Sequence, residues 1–206
     1  MTATHHTSAE LFDDPIMHGL YQKVLAEGEF PKNITGPSPD QYFWSLCSSI
    51  IGQQLSEKVA PIIESRVKVV LKNELNPESV LSTSDDQLRA AGLSFSKISY
   101  LKNVAVAWQS GEINPSALAN LTDEEVIAQL IKIKGVGRWT AEMFLIFTLA
   151  RPDIFSVGDY GLRRAISLAY EIPMETKPKE LLELSATWAP NRSLASRLLW
   201  RSLDLL

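Results

Sequence analysis

The sequence predicts an all-α fold. Apolar residues recur at helical spacing through most of the 206 residues, and capping residues, prolines and glycines divide the chain into short segments. Strand-like alternation is hard to find, because β-branched runs such as Val67-Lys68-Val69-Val70 sit inside longer helical patterns. The punctuation implies about ten to twelve short helices.

Pro15 to Glu27 carries Ile16, Leu20, Val24 and Leu25 at helical spacing and ends at Gly28, and Lys32 to Pro37 reads as a linker. Ser38-Pro39-Asp40 supplies an N-cap, a proline at the first helical position and a first-turn acid. They open a helix through Tyr42, Phe43, Leu46, Ile50 and Ile51 that stops near Gly52. Helices follow over Glu57–Lys72, with Pro61 an early irregularity, and over Pro77–Ser82. Ser84-Asp85-Asp86-Gln87 starts a short helix closed by Gly92, and Ser96 to Gln109 places Ile98, Leu101, Val104 and Trp108 on one stripe. Thr122-Asp123-Glu124-Glu125 is a capping box ahead of Val126, Ile127, Leu130 and Ile131. Arg138 to Leu149 is strongly apolar, and the last helices are expected at Asp159–Tyr170, Lys177–Trp188 and Ser193–Leu205.

Hydrophobic residues make up 45% of the chain, enough for one sizeable core. A chain of this length buries roughly 70% of its unfolded surface, so neither a metal nor a disulfide is needed for folding. The single cysteine, Cys47, excludes an intramolecular disulfide, a Cys-rich zinc site and a four-cysteine iron–sulfur cluster. The N-terminus has neither a basic nor an apolar leader region, and no uncharged apolar run approaches the ~18 residues of a membrane span. The expectation is a protein that is not secreted, cytoplasmic or nucleoid-associated in a bacterium and nuclear in a eukaryote. A net charge of −4 argues against coating nucleic acid through global charge but allows a local basic patch. His5, His6 and His18 form no metal-ligand spacing or nucleophile triad.

The informative stretch is Leu130-Ile131-Lys132-Ile133-Lys134-Gly135-Val136-Gly137-Arg138-Trp139-Thr140-Ala141. Here a capped helix breaks into a two-glycine turn and another helix begins at once. Two glycines two apart permit positive φ and leave backbone N–H groups uncovered, and the dipole of the next helix adds to them. The result is either a small concave anion site or an ordinary Gly-capped turn between helices. Lys132, Lys134 and Arg138 place positive charge beside it.

Ile133 to Ala141 resembles the helix-hairpin-helix motif, hydrophobic-x-Gly-Val-Gly-x-x-Thr-Ala. Asp153-Ile154-Phe155-Ser156-Val157-Gly158-Asp159-Tyr160-Gly161-Leu162-Arg163-Arg164 resembles the loop and aspartate of the helix-hairpin-helix base-excision DNA glycosylases. Ile50-Ile51-Gly52-Gln53-Gln54-Leu55-Ser56 and Gly92-Leu93-Ser94-Phe95-Ser96-Lys97-Ile98-Ser99-Tyr100-Leu101 resemble two further segments of that family. The likeness runs from about Gln41 to Arg201, nearest to the 3-methyladenine DNA glycosylase II branch.

That resemblance implies a single glycosylase domain over the whole chain. Its middle helices, about residues 41–150, would form one helical subdomain and the terminal helices another, with the DNA and base site in the cleft between them. It implies Asp159 as the catalytic carboxylate, although an aspartate there is also a natural N-cap. Gly135, Val136, Gly137, Arg138, Thr140, Gln53, Gln54 and Ser193 would contact DNA, Gln54 filling the space left by a flipped base and Ser193 capping the last helix, contacting a phosphate, or both. Arg163, Arg164, Arg192, Arg197 and Arg201 are candidates for a basic face, or for pairing with surface acids. Trp139 is either a base-pocket ring or core packing with Met143 and Phe147; Trp44 and Asn191 are further pocket candidates. Asn191 stands where some relatives carry an aromatic residue. Main-chain carbonyls of Ile131, Ile133 and Val136 would hold a structural monovalent cation, Na+ or K+, with no other cofactor required.

Bifunctional relatives carry a Schiff-base lysine where this chain has Trp139. The expected activity is therefore monofunctional: release of alkylated purines such as 3-methyladenine or 7-methylguanine from damaged double-stranded DNA, leaving an abasic site. A monomer without membrane contact is expected. The competing readings are a glycosylase for another lesion, a non-catalytic helix-hairpin-helix DNA-binding module, and an all-α interaction protein.

Overall fold

The computed structural model describes residues 12–56 and 58–205; His5 and His6 lie outside them. Among the described residues there are twelve α-helices, one 3-10 turn and no strand. The helices are α1 (Pro15–Ala26), α2 (Tyr42–Gly52), α3 (Ala60–Val70), α4 (Pro77–Ser82), α5 (Asp85–Ala90) and α6 (Phe95–Gln109). They continue with α7 (Pro115–Leu118), α8 (Asp123–Leu130), α9 (Arg138–Phe147), α10 (Tyr160–Tyr170), α11 (Pro178–Ala186) and α12 (Arg192–Ser202). The chain divides into two compact units. Gly36–Leu149 forms one, carrying α2 to α9, and the described part of Met1–Thr35 with Ala150–Leu206 forms the other.

In the Gly36–Leu149 unit, α2 packs against α3, α6 and α9. Its sequence is apolar on nearly every side, which suits a helix enclosed by others. Tyr42 meets Phe144 edge-on at 5.8 Å and Phe43 meets Trp108 at 5.9 Å between ring centroids. Cys47 is fully buried among them, and burial pushes its thiol well above the usual range, so it is an inert packing residue.

In the other unit, α12 packs against α1 and α10. Asp14 fastens this arrangement with one carboxylate. Its Oδ1 accepts the N–H groups of Ile16 and Met17, capping α1, while Oδ2 accepts the Tyr170 hydroxyl and the Trp188 indole N–H. Burial acts to raise the Asp14 pKa, but these hydrogen bonds together outweigh it and hold the carboxyl below its ordinary value. Trp188 is completely buried, with Phe155 edge-on at 5.6 Å.

The structure moves several expected boundaries. Pro39–Gln41 is a 3-10 turn, and Ser38 makes no side-chain cap bond, so α2 starts only at Tyr42. Pro61 lies in the first turn of α3, where a proline removes no helical hydrogen bond. The one-turn α7, capped by Asn114 with Pro115 behind it, is too short to have shown periodicity. The expected Thr122–Glu125 capping box forms, and a second one closes between Ser84 and Gln87 at the start of α5.

Candidate DNA-binding hairpin and catalytic carboxylate

The hairpin joins α8 to α9 through residues 131–137. Gly135 has φ +107°, and a Cβ there would overlap the Tyr100 ring at 2.2 Å, so both its backbone and its space demand glycine. Gly137 differs from the sequence expectation, because its φ of −92° is open to any residue. It is exposed, serves as the N-cap of α9 with no side-chain cap bond, and a Cβ there would meet nothing within 4 Å. The protein's own packing therefore leaves open space beside the first turn of α9. Arg138 is bound on the hairpin, with Nη2 2.7 Å from Glu124 and Nε 3.0 Å from the buried Glu142. The structure corrects Thr140, which is 2% exposed and so faces the interior instead of a DNA backbone.

The Gly-Gln segment at the end of α2 is tied to this hairpin. The Gln53 amide donates to Thr140 Oγ1 at 3.0 Å and to the Gly135 carbonyl at 3.4 Å. Lys97 of α6 donates to the carbonyls of Ile51 and Gln53 at 2.6 and 2.7 Å, capping the C-terminus of α2. Partial burial of that ammonium pulls its pKa below the ordinary lysine value. One turn further along α6, Tyr100 covers Gly135, and Asn103 Nδ2 donates to the Lys134 carbonyl at 3.0 Å. Thus α6 holds both the hairpin and the end of α2. Gln54 projects beyond these anchors, exposed and at φ +59°, next to exposed Leu55. Gln53 is consequently an internal strut in this structure, while Gln54 is the outward glutamine.

Asp159 is the N-cap of α10 and is 8% exposed. Its Oδ1 accepts the Leu162 N–H at 2.7 Å and the Trp200 indole N–H at 2.9 Å. The loop leading to it is pinned by α12. Arg192 forms a two-pronged pair with Asp153 at 2.7 and 2.8 Å, and Ser193 Oγ accepts the Ile154 N–H while donating to the Arg151 carbonyl. Ser193 is thereby corrected. It does not cap α12, whose N-cap is Asn191, and its buried hydroxyl and N–H bond to the loop that leads to Asp159.

A family model described as HhH-GPD superfamily base excision DNA repair protein matches residues 47–191. The chain belongs to that superfamily. It is 32% identical over 205 residues to DNA-3-methyladenine glycosylase 1 of Schizosaccharomyces pombe, covering 98% of this chain and 90% of that protein. A crystal structure of a DNA-3-methyladenine glycosidase from Bacillus halodurans matches with a TM-score of 0.74 at 37% identity, over 95% of this chain and 87% of the other. The S. pombe 3-methyladenine DNA glycosylase in complex with abasic DNA matches with a TM-score of 0.79 at 31% identity, over 90% and 91%.

In this HhH-GPD chain the aromatic candidates fall in different settings. Trp139, at the second position of α9, is 39% exposed while Met143 one turn on is 8% exposed, so the tryptophan face is only partly consumed by packing. Trp44 is buried at 8% exposure, its indole donating to Glu64 Oε1 at 3.0 Å. It lines a cavity of about 380 Å³ with Pro37, Asp40, Gln41, Asn73 and Leu75, a group that includes no hairpin residue. Asn191 is half-buried, its N–H donating to the Trp188 carbonyl at 2.8 Å.

The arginines named for a basic face, or for pairing with surface acids, fall in different settings. Arg163 donates to the Met174 and Thr176 carbonyls, Arg197 to Pro31 and Lys32 while stacking on Phe30, and Arg201 to Asp204. With Arg192 on Asp153, three of the five arginines brace the fold, whereas Arg164 and Arg201 are exposed, Arg201 in a surface pair three residues apart.

Ile131, Ile133 and Val136 lie within one tight turn, and an all-carbonyl donor set favours a hard cation over a transition metal. The Ile133 oxygen accepts the Val136 N–H at 3.0 Å and retains a second lone pair. Among the described residues no cluster of three His, Cys, Asp or Glu offers an alternative metal site. No helix among them is long and apolar enough to cross a membrane.

Proposed function

We propose that the chain is a DNA glycosylase of base excision repair that hydrolyses the N-glycosidic bond of alkylated purines in duplex DNA, acting alone and leaving an abasic site. The observation that carries this reading is Asp159, a nearly buried carboxylate held by two donors on one oxygen in a chain of the base excision family. A non-catalytic binder could use Asp159 as an N-cap alone, but it would gain nothing from a second donor on that carboxylate and would set its charge against phosphate.

Each element has a physical role in that reaction. The uncapped first turn of α9, with bare backbone at Gly137, supports binding of a DNA phosphate by amide groups and helix dipole. A monovalent cation held by the carbonyls of Ile131, Ile133 and Val136 would add positive charge beside that phosphate. Gln54 enters the space left when the target nucleotide leaves the stack. Trp139 offers an electron-rich ring face to an alkylated, electron-poor purine, which selects by stacking and cation–π attraction. As the glycosidic bond lengthens, positive charge grows on the sugar, and the Asp159 carboxylate stabilises it and orients the attacking water. Water adds to the sugar carbon, its proton is lost, and the base departs with the bonding electrons.

The absence of a strand-cleaving step follows from Trp139, because no amine stands at the lysine position of bifunctional relatives to form an imine with the sugar. Lys134 precedes the glycines and is an exposed charge on the turn.

The test follows free base released from methylated duplex. Wild type is expected to release 3-methyladenine or 7-methylguanine, with strand breaks appearing only after alkali. Asp159→Asn should lower the single-turnover rate by about 100- to 1000-fold while sparing DNA binding. Borohydride trapping of a covalent DNA complex would refute the monofunctional assignment, and wild-type turnover by Asp159→Asn would remove that residue from the mechanism.

A further inference from the structure

We infer that Trp200 is the positioning residue for Asp159, and that Gly161 is the gap in α10 through which its indole reaches the carboxylate. The inference rests on the reading of Asp159 as the catalytic carboxylate. An N-capping aspartate needs only the local bond from its own helix, here the Leu162 N–H. Asp159 has a second donor on the same oxygen from α12, 41 residues away in sequence. One donor lets a carboxylate pivot about its last torsion, but two donors from different elements fix its plane, and with it the direction in which Oδ2 points. A hydrogen bond to an ionised, nearly buried group is also among the stronger ones.

Gly161 gives independent support. It is the second residue of α10 and has no positive φ, so its backbone conformation does not call for glycine. Its reason is space. A Cβ there would lie 3.1 Å from Trp200 Cδ1, 3.2 Å from Trp200 Nε1 and 3.2 Å from Asp159 Oδ1. Any larger residue must shift the indole or the carboxylate by a few tenths of an ångström and so strain the bond between them.

The experiment measures single-turnover base release from methylated duplex and, separately, affinity for an abasic duplex and the thermal midpoint. Trp200→Phe keeps a ring and loses the N–H; the expected result is a rate about tenfold lower, with affinity within about twofold and little change in midpoint. Gly161→Ala, which favours the helix, should lower the rate in the same selective way and decides the matter if Trp200→Phe folds poorly. Added to Trp200→Phe, it should cost less than it does alone, because one of the two contacts it disturbs, the indole bond, is already gone. A folded Trp200→Phe with the wild-type rate, or one losing rate and affinity in parallel, would overturn the inference while leaving the catalytic role of Asp159 standing. A wild type that releases no base, or an active Asp159→Asn, would overturn both.

Discussion

Gly135 and Gly137 are indistinguishable in a sequence motif, yet the structure uses them for opposite reasons. At Gly135 the backbone lies where side chains are strained and Tyr100 occupies the Cβ position. Gly135→Ala should therefore destabilise the protein by on the order of 2 kcal/mol, read as a lowered thermal midpoint. At Gly137 nothing in the protein resists a Cβ, so Gly137→Ala should leave the midpoint nearly unchanged while weakening duplex binding about tenfold, if a phosphate needs that backbone. An alanine at Gly137 that binds duplex like wild type would argue against the phosphate contact. Thr140 and Ser193 carry a similar lesson. Both were legible as members of functional motifs, but hydroxyl residues serve as DNA contacts or as internal ties equally well, and only burial separates the two.

At the scale of elements, the hairpin depends on more than its own glycines. Lys97, Tyr100 and Asn103 of α6 hold the end of α2 and the turn, a division of labour the sequence shows only as a short motif of unexplained spacing. Arg138 is a further case, because its positive charge beside the anion site is partly neutralised by Glu124 and Glu142. The Glu124 pair is well exposed at both ends and contributes little to stability. Glu124→Gln should thus leave the thermal midpoint within a few degrees and tighten binding to undamaged duplex at low salt, measured by fluorescence anisotropy. Unchanged or weaker binding would show that Arg138 serves the hairpin only as a brace.

Across the molecule, acid should act through the unit that carries Asp159. The Arg192 guanidinium beside Asp153 holds that carboxyl below its ordinary value of 3.8, and burial opposes this more weakly. A depressed folded-state pKa gives stability that is fully present above the unfolded value and is lost as pH falls through the folded one. The thermal midpoint should therefore drop from about pH 4 downward, and Asp153→Asn should blunt that part of the drop. An identical acid profile in the variant would mean that the pair contributes no pH-dependent stability. Asp14, held low by its cap and aromatic partners, acts in the same direction.

The sequence by itself determined the helical class, the Thr122–Glu125 capping box, the two-glycine turn and the placing of Asp159 at a helix start. These features arise from short-range periodicity and local hydrogen bonding, which leave their mark within a few residues. Tertiary structure alone decided that Gln53 reaches Thr140 across 87 positions, that Trp200 reaches Asp159 across 41, and that three of five candidate DNA-binding arginines are tied to other parts of the fold. Each of those outcomes depends on which helix packs beside which, and a side chain's polarity carries no record of the partner that packing will bring to it.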